Sequence, residues 1–493
     1  MLTLVLAIVP LWSPCMNTPR RFLILSILGA AAFAAIFGAF PGIARSQTTS
    51  TAATDPVGFL SIALPANSDT FVSIPFTRPV EFTGSVGSVT TTGTAPNTVG
   101  TITFSGTPGL TQGAFAPLSS TAPNDGHKSY YAIIGPKNVA LTSTLAVANN
   151  STSVTASTAW PGDLAVGDTV TITGSANGAT TPAVNYTFTV AALPTTTTLT
   201  LDRAYPGNTD SALAATYNHS PSEGRFYTVT TNDSGSLTLS LNGDSLDNVT
   251  TGTQVSVIPY WTFGTVFPAT DVNVSFLAST GPQFHNRGTR FLIPDLSAVG
   301  IRLPPTLIYY FYNGYWRLEN DPVTTNIHED DALLPNTYFI ARNVSSPSVA
   351  ASPLTLTSTG TVLMNRISTP LQAQSNTRQD NSVAIPRPAA VTLNDLGLIT
   401  SPNAFVASTG TTWKTRGDQL LVFDNSSIKI DKGESATYYY YNNAWRQDGD
   451  PTGSDVGATA IIQPATGIKI RKAAVNGTAP ATPFWQNARN YLN

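Results

Sequence analysis

The sequence predicts an all-β protein made of several small antiparallel sandwich or barrel domains, ending in a tandem duplicated C-terminal unit. Thr and the β-branched aliphatic residues favour strands, while 37 Gly, 36 Pro and frequent Asn favour turns. No amphipathic helical stretch of ordinary length follows residue 47. An internal repeat adds the third observation, and it also sets the expected domain organisation.

The repeat aligns residues 274–342 with residues 403–471 without a gap, at a constant offset of 129, with 22 of 69 positions identical. This period exceeds those of short solenoid repeats, so each copy is expected to be a small domain with its own core. Residues kept in both copies, such as Trp316 and Trp445, are expected to be scaffold rather than catalytic groups.

The first 46 residues are predicted to be a signal peptide. Arg20 and Arg21 precede an apolar run over residues 22–40, and residues 44–46 offer small residues at the positions that a signal peptidase reads. Met16 is an alternative true start, and an uncleaved anchor is the alternative to cleavage. The protein is therefore expected to be exported, to the periplasm, the cell surface or the exterior.

Cysteine and charge exclude several function classes. The single cysteine, Cys15, lies within the signal segment, so the mature chain is expected to have no disulfide, no Cys-based zinc site and no cysteine nucleophile. The formal net charge of −3 becomes −6 once the three arginines of residues 1–46 are removed, which makes nucleic acid an unexpected partner.

The strand pattern predicts an interrupted first domain. Residues 129–134 and 224–229 are expected to be neighbouring strands, yet about 90 residues separate them, far more than a normal connection. Strands ending in Ile-Pro at residues 70–75, 255–259 and 382–386 are each expected to open a unit.

The resulting domain prediction has six segments, and residues 377–381 are expected to be a polar link. The segments are the signal peptide 1–46, an N-terminal β domain 47–136 plus 221–258, an inserted small β domain 137–220, repeat unit 259–370, repeat unit 383–475 and a tail 476–493.

A Tyr-rich hairpin occurs in both copies, at residues 309–317 and 438–446. Asn-Gly and Asn-Asn accept the positive φ of a two-residue turn, so alternation places Tyr309, Phe311 and Trp316 on one face. The opposite face is expected to be a half-exposed tyrosine surface, crossed by Arg317 or Arg446.

That surface is the predicted ligand site, where sugar rings could stack on aromatic rings. The candidate residues are Tyr310, Tyr312, Arg317, Tyr439, Tyr441 and Arg446. The alternative is that these side chains only stiffen the sheet, and the recurrence of both faces in both copies favours it.

Acids follow each hairpin at matched positions. Glu319 and Asp321 in the first copy match Asp448 and Asp450 in the second, and carboxylates two residues apart in a loop can chelate calcium. Asp330, Asp331 or Asp455 could add oxygens. No complete calcium-loop spacing is present, so turn acids that pair with the nearby arginines are the favoured interpretation, and Ca²⁺ is the only cofactor considered.

Two short motifs are set aside, and no catalytic residue is predicted. Residues 243–246 spell a hydrolase nucleophile signature, but no helix or suitable histidine base is expected to follow Ser245. Residues 416–418 spell an adhesion tripeptide, yet Arg416-Gly417 repeats Arg287-Gly288, which favours a structural turn.

Several segments resemble a family of secreted bacterial proteins that occur as paralogues and have no assigned activity. The segments are 55–69, 258–262, 394–398, 418–424 and the second hairpin. The resemblance spans most of the mature chain except the insert at about 137–220, and it implies export and a non-catalytic role.

We therefore expect a structural or interaction protein, not an enzyme, of the bacterial envelope or exterior. A carbohydrate-binding protein is the alternative. The expected partners are glycans, other envelope proteins or further copies of the chain, paired through exposed strand edges.

Overall fold

The computed structural model describes residues 56–116, 129–162, 164, 166–173, 185–268, 276–321, 327–363, 366–450, 453–477 and 482–487. In these ranges strands dominate, accompanied by one short helix, Phe263–Val266 (α1), and two 3-10 turns, Phe284–Asn286 and Asn394–Leu396. The predicted all-β class, with several antiparallel sheets and a barrel, is confirmed. The predicted signal peptide lies outside the described residues.

The strands, numbered in chain order, are β1 (Val57–Leu64), β2 (Ser68–Val72), β3 (Phe82–Thr92), β4 (Val99–Phe104), β5 (Tyr130–Ile134), β6 (Asn138–Ala140), β7 (Leu145–Val147), β8 (Ser153–Ala156), β9 (Thr169–Ile172), β10 (Tyr186–Ala192), β11 (Thr198–Leu201), β12 (Asp210–Leu213), β13 (Ala215–Asn218), β14 (Phe226–Asn232), β15 (Ser236–Ser240), β16 (Gln254–Pro259), β17 (Trp261–Thr262), β18 (Arg290–Pro294), β19 (Pro305–Tyr312), β20 (Tyr315–Leu318), β21 (Ala332–Leu333), β22 (Phe339–Asn343), β23 (Leu354–Thr361), β24 (Ile367–Pro370), β25 (Gln379–Ala384), β26 (Val391–Thr392), β27 (Gln419–Val422), β28 (Ala436–Tyr441), β29 (Ala444–Gln447), β30 (Ile461–Ile462), β31 (Gly467–Lys472) and β32 (Phe484–Asn487).

Six of these strands form a closed barrel in the order β14-β15-β4-β3-β16-β5. Alternation along β15 turns Leu237 and Leu239 into the barrel core, where neither is exposed. β14 pairs with β5, the two strands that the sequence predicts as neighbours. The prediction that residues 255–259 open a unit is wrong, because β16 closes the barrel between β3 and β5.

An eight-stranded sheet, in the order β12-β7-β8-β11-β10-β9-β13-β6, lies in the chain between β5 and β14. Its strands run from Asn138 to Asn218 and surround a separate core that contains Val170, Phe188 and Tyr205. The inserted segment therefore has a sheet and a core of its own.

Two further five-stranded sheets share one strand order. One is β2-β22-β18-β19-β20 and the other is β25-β31-β27-β28-β29. Each is accompanied by two two-stranded sheets, β1-β23 with β17-β21 and β24-β32 with β26-β30. We call the first set copy 1 (β1, β2 and β17–β23) and the second copy 2 (β24–β32).

Strand pairing differs from the predicted segment boundaries in four places. One is β24, which the prediction places in the first repeat unit but which pairs with β32 in copy 2. β1 and β2 belong to copy 1 rather than to the barrel, and residues 379–381 of the predicted link lie within β25. β32 comes from the predicted tail, and its Trp485 is completely buried in the core of copy 2. β1 and β2 differ from the prediction because the barrel is inserted between β2 and β17, so these two strands are far in the chain from the other strands of copy 1.

The two copies pack against each other through reciprocal contacts. The loop of residues 295–304 crosses from copy 1 to β25, and the loop of residues 424–433 crosses from copy 2 to β2. Equivalent backbone hydrogen bonds of 2.9 Å recur in both directions: Asp69 N to Lys429 O with Asp380 N to Gly300 O, and Ser73 N to Ala465 O with Ala384 N to Asn336 O. Two identical subunits in a two-fold dimer contact each other in the same reciprocal way, but here both halves belong to one chain.

Aromatic side chains fill the centre of this interface. Phe71 of copy 1 stacks on Phe423 of copy 2 with ring centroids 4.2 Å apart, and Tyr338 packs beside both. The side chain of Asn425 bonds the backbone N–H and C=O of Phe71, at 2.9 and 2.8 Å. Each copy thus covers the outer edge of the other's sheet, which shields an otherwise open strand edge.

Candidate functional site

The hairpin faces are arranged as alternation predicts. Tyr309, Phe311 and Trp316 enter the core of copy 1, and Trp316 is not exposed at all. In copy 2, Trp445 holds the equivalent position and is also buried. The opposite faces of the two sheets carry the candidate ligand residues.

On that opposite face, charged and tyrosine side chains form a row across all five strands. In copy 1 the row consists of successive cross-strand partners, Asp69, Arg342, Arg290, Tyr310 and Arg317. In copy 2 the equivalent row is Asp380, Arg471, Gln419, Tyr439 and Arg446. We call these the polar rows of copies 1 and 2; they differ only at Arg290 and Gln419.

One end of each row is a bidentate ion pair. Arg342 donates to both carboxylate oxygens of Asp69 at 2.8 and 2.7 Å, and Arg471 does the same to Asp380 at 2.6 and 3.0 Å. Arg342 also pairs with Asp431 of the crossing loop. The pKa of Arg342 is raised, first by its hydrogen bonds to Asp69. These charges are matched by scaffold partners.

An arginine covers the central tyrosine of each row, but it is not the expected one. The guanidinium of Arg287 lies 4.5 Å from the ring centroid of Tyr310, and that of Arg416 lies 4.6 Å from the ring centroid of Tyr439. Both tyrosines are buried. Arg317 instead lies over Tyr315, at 5.3 Å. Tyr310 and Tyr439 therefore do not offer a free face to a sugar ring.

The remaining candidates of the hairpins are less enclosed. Tyr312, Tyr441 and Arg446 are each half-buried near the turn of their hairpin, whereas Arg317 is buried. Of the candidate ligand residues, only those near the turn of each hairpin are therefore partly open to solvent.

The predicted calcium acids face protein donors. Glu319 accepts from Arg287 at 2.5 Å and Asp448 accepts from Arg416 at 2.6 Å, and the latter bond lowers the pKa of Asp448. Asp321 bonds Nε2 of His328 at 3.0 Å. Asp450 has a partner of its own. Within the described ranges, no group of three His, Cys, Asp or Glu side chains is placed to hold a metal ion.

The additional acids considered for calcium are engaged as well. Asp331 accepts from Tyr309 at 2.8 Å and contacts Nδ1 of His328 at 2.9 Å, while Asp455 accepts the backbone N–H of Trp445 at 3.1 Å. Asp330 also has a partner. The predicted calcium acids are therefore turn residues whose carboxylates are bound by protein donors, which agrees with the favoured interpretation.

In both short motifs, the hydrolase signature at residues 243–246 and the adhesion tripeptide at residues 416–418, an aspartate is bound by residues of the scaffold. Asp244, beside Ser245, binds Arg225 at 3.1 Å and Tyr227 at 2.6 Å at the barrel end. Asp418, the third residue of the adhesion tripeptide, is not exposed, pairs with Lys472 and accepts the N–H of Val406 at 2.7 Å. A carboxylate that is buried in this way cannot meet a receptor.

Two exposed aromatic residues escape the sequence prediction. Phe284 and Trp413 hold equivalent positions at the offset of 129, and their side chains are 64% and 50% exposed. Each ring stacks on a guanidinium, Phe284 on Arg290 at 4.5 Å and Trp413 on Arg378 at 4.4 Å. Because Phe and Trp are not identical, counting identities between the copies does not reveal this pair. Comparing residue classes would, since both copies have an aromatic residue at this position.

A cavity of about 290 Å³ is a weaker candidate. It lies in copy 1 and is lined mainly by apolar side chains, including Trp261, Leu307 and Leu333. Ligand pockets usually enclose about 300–1,000 Å³ and present converging polar groups. This cavity is at the lower limit, so the polar rows with their exposed aromatic residues are the better candidate.

Comparison with protein-family models, curated proteins and solved structures finds no match to this chain. The resemblance to a family of secreted paralogues stays a prediction. Among the helices of the described residues, none has both the length and the apolar character that a membrane span requires.

Proposed function

We propose that this protein is a non-catalytic structural or interaction protein of a bacterium, secreted or held in the cell envelope. The observation that carries the proposal is the repeated engagement of its charged residues by the scaffold. The Arg287–Glu319 pair recurs as Arg416–Asp448, and the Arg342–Asp69 pair recurs as Arg471–Asp380. Catalytic groups need free, polarised side chains in a cleft.

The reciprocal packing of the two copies supports a structural role. Each copy has its own aromatic core and contributes a crossing loop to its neighbour, so the pair forms one continuous β unit. Without cysteine in the expected mature chain, packing and strand pairing would supply its stability outside the cytoplasm.

Fractionation of the native host, with an antibody against residues 47–493, tests this proposal. We expect the protein in the exported fractions, and we expect mass spectrometry to find an N-terminus at Gln47. Electron microscopy of that fraction would then show whether filaments or a lattice form. A full-length chain confined to the cytoplasm would overturn the proposal of export.

A second candidate, carbohydrate binding, is favoured by the exposed rings of Phe284 and Trp413. An exposed aromatic ring at the same place in both copies, stiffened by an arginine behind it, is a suitable surface for the apolar face of a sugar ring. Under this second candidate, the sugar would contact the loops before β18 and β27, beside the predicted tyrosine surface rather than on it.

A glycan array tests this second candidate. We expect binding by the mature protein that falls when Phe284→Ala and Trp413→Ala are combined. Tyr310→Phe with Tyr439→Phe is the matched control, because both tyrosines are covered. Binding that survives the loss of both exposed rings would contradict the candidate.

A further inference from the structure

Arg290 of copy 1 has a buried side chain whose Nε lacks a hydrogen-bond acceptor among the described residues. Arg290 is only 9% exposed, and its Nε has no hydrogen-bond partner. No ion pair in the described part of the chain joins it to a carboxylate. Its contact partner is the ring of Phe284, which supplies no oxygen. A buried guanidinium nitrogen without a hydrogen bond is costly, so an acceptor placed against this guanidinium would be stabilising.

Two further arginines lie next to Arg290. Arg342 is its direct cross-strand partner, and Arg287 lies over the neighbouring Tyr310. Burial lowers the pKa of Arg290, Arg342 and Arg287 lower it further, and Glu319 and Asp69 act in the opposite direction. The two nearby carboxylates already form ion pairs with other arginines, Asp69 with Arg342 and Glu319 with Arg287. An anion entering here would therefore be attracted by more than one guanidinium.

In copy 2, the guanidinium that stacks on the exposed aromatic ring is hydrogen-bonded to oxygens of the protein. There Gln419 replaces Arg290, and the guanidinium stacked on the aromatic ring belongs to Arg378. Arg378 donates to Gln419 Oε1 at 3.4 Å, to Trp413 O at 3.2 Å and to Arg416 O at 3.1 Å. Gln419 Nε2 is a buried donor without a partner, but it carries no charge.

We propose that Arg290, beside the exposed ring of Phe284, binds the carboxylate of an acidic sugar. The carboxylate supplies the oxygens that Arg290 lacks, and the outer face of the Phe284 ring contacts the body of the sugar. This inference rests on the second candidate function and gives it a ligand class, a uronic acid polymer. It also assigns different roles to the copies: copy 1 recognises the acidic group, and copy 2 offers Trp413 to a sugar ring of any charge.

Titration calorimetry with polygalacturonate tests the proposal, with neutral dextran as the comparison ligand. We expect the mature protein to prefer polygalacturonate, and Arg290→Gln, which copies the residue of copy 2, to lose about tenfold or more in affinity, as removal of a charged hydrogen bond requires. Arg203→Gln is the control, because Arg203 lies just after β11 in the inserted sheet, away from both exposed rings, and pairs with Asp202 at 2.9 Å. We expect its polygalacturonate affinity to stay within about twofold of the wild type.

Three outcomes would overturn the proposal. Equal polygalacturonate affinity in Arg290→Gln and the wild type would remove the assigned residue. Inorganic sulfate that binds as tightly as the polymer would make this a free oxyanion site. An equal loss in Arg203→Gln would show that removal of any positive charge has this effect. Dextran binding tests carbohydrate binding in general, and we expect Trp413→Ala to lose it. Failure of the second candidate function is therefore distinguished from failure of the acidic-sugar proposal.

Discussion

The ring of Tyr338 lies against the backbone of Gly467, and these two residues hold the same position in copies 1 and 2. A Cβ atom built on Gly467 would stand 2.5 Å from Cγ of Tyr338. The interface between the copies is therefore symmetric in its backbone hydrogen bonds and asymmetric at its centre. A large ring fits on one side because the other side has no side chain.

Gly467→Ala is expected to destabilise the protein by about 1–3 kcal/mol, because the added methyl group must displace a buried ring. Gly433→Ala is the matched control, since a Cβ at Gly433 meets nothing within 4 Å. Urea unfolding of both variants measures the difference. Equal transition midpoints for the two variants would show that the ring can shift freely.

Removing one partner of the buried Asp418–Lys472 pair is expected to cost about 3–5 kcal/mol, because a lone charge is left inside. Copy 1 has Thr289 and Asn343 at the equivalent positions. The double replacement Asp418→Thr with Lys472→Asn should therefore cost less than either single replacement. A double-mutant cycle in urea checks this order, and additive losses would contradict it.

Stability is expected to fall as the pH rises above about 6.5, because His328 loses its proton. The hydrogen bond that the ring of His328 donates to Asp331, and then the one to Asp321, raise the pKa of His328 above its ordinary 6.5, although burial opposes them. The protonated ring therefore binds the folded state better. This stabilisation is complete below a pH of about 6.5 and is lost as the pH rises through the folded pKa.

Thermal melting between about pH 6 and pH 9 measures this dependence. His328→Gln should flatten the curve, whereas replacement of His285, an exposed residue on the 3-10 turn Phe284–Asn286, should leave it unchanged. An identical slope in His328→Gln would assign the dependence to another group.

Calcium is expected to leave the melting temperature unchanged. Glu319 and Asp448 are held by arginines, so binding would require two ion pairs to break. Melting with about 5 mM CaCl₂ and with EDTA tests this, since that concentration exceeds the dissociation constants typical of extracellular calcium modules. A saturable rise in melting temperature that disappears in Asp448→Asn would contradict the expectation.

The parts of the fold that depend on local pattern could be predicted from the sequence. The period of two along residues 309–316 places Trp316 in the core, and the turn residues Asn313 and Asn442 have the positive φ that the hairpins require. The pairing of β5 with β14 also follows from their similar strand patterns across a long gap.

The parts that depend on distant pairing could not be predicted. β2 belongs to copy 1, and its Asp69 is 273 residues from Arg342. The matching Asp380 lies outside the ungapped alignment because the barrel interrupts only copy 1. In the candidate site, strand alternation selects Arg317 and Arg446, yet the arginines that cover the tyrosines come from loops, where alternation has no meaning.

The nested order of the domains has a consequence for how the chain folds. The ends of the inserted sheet are partners, since Asn138 pairs with Asn218, and the ends of the barrel segment are partners too, since Phe82 pairs with Val257. Each inserted segment can therefore close on itself and bring its host strands together. Folding from the inside outwards would shorten the long loop that copy 1 must close, whereas copy 2, whose Asp380 and Arg471 are 91 residues apart, can form independently of either insertion.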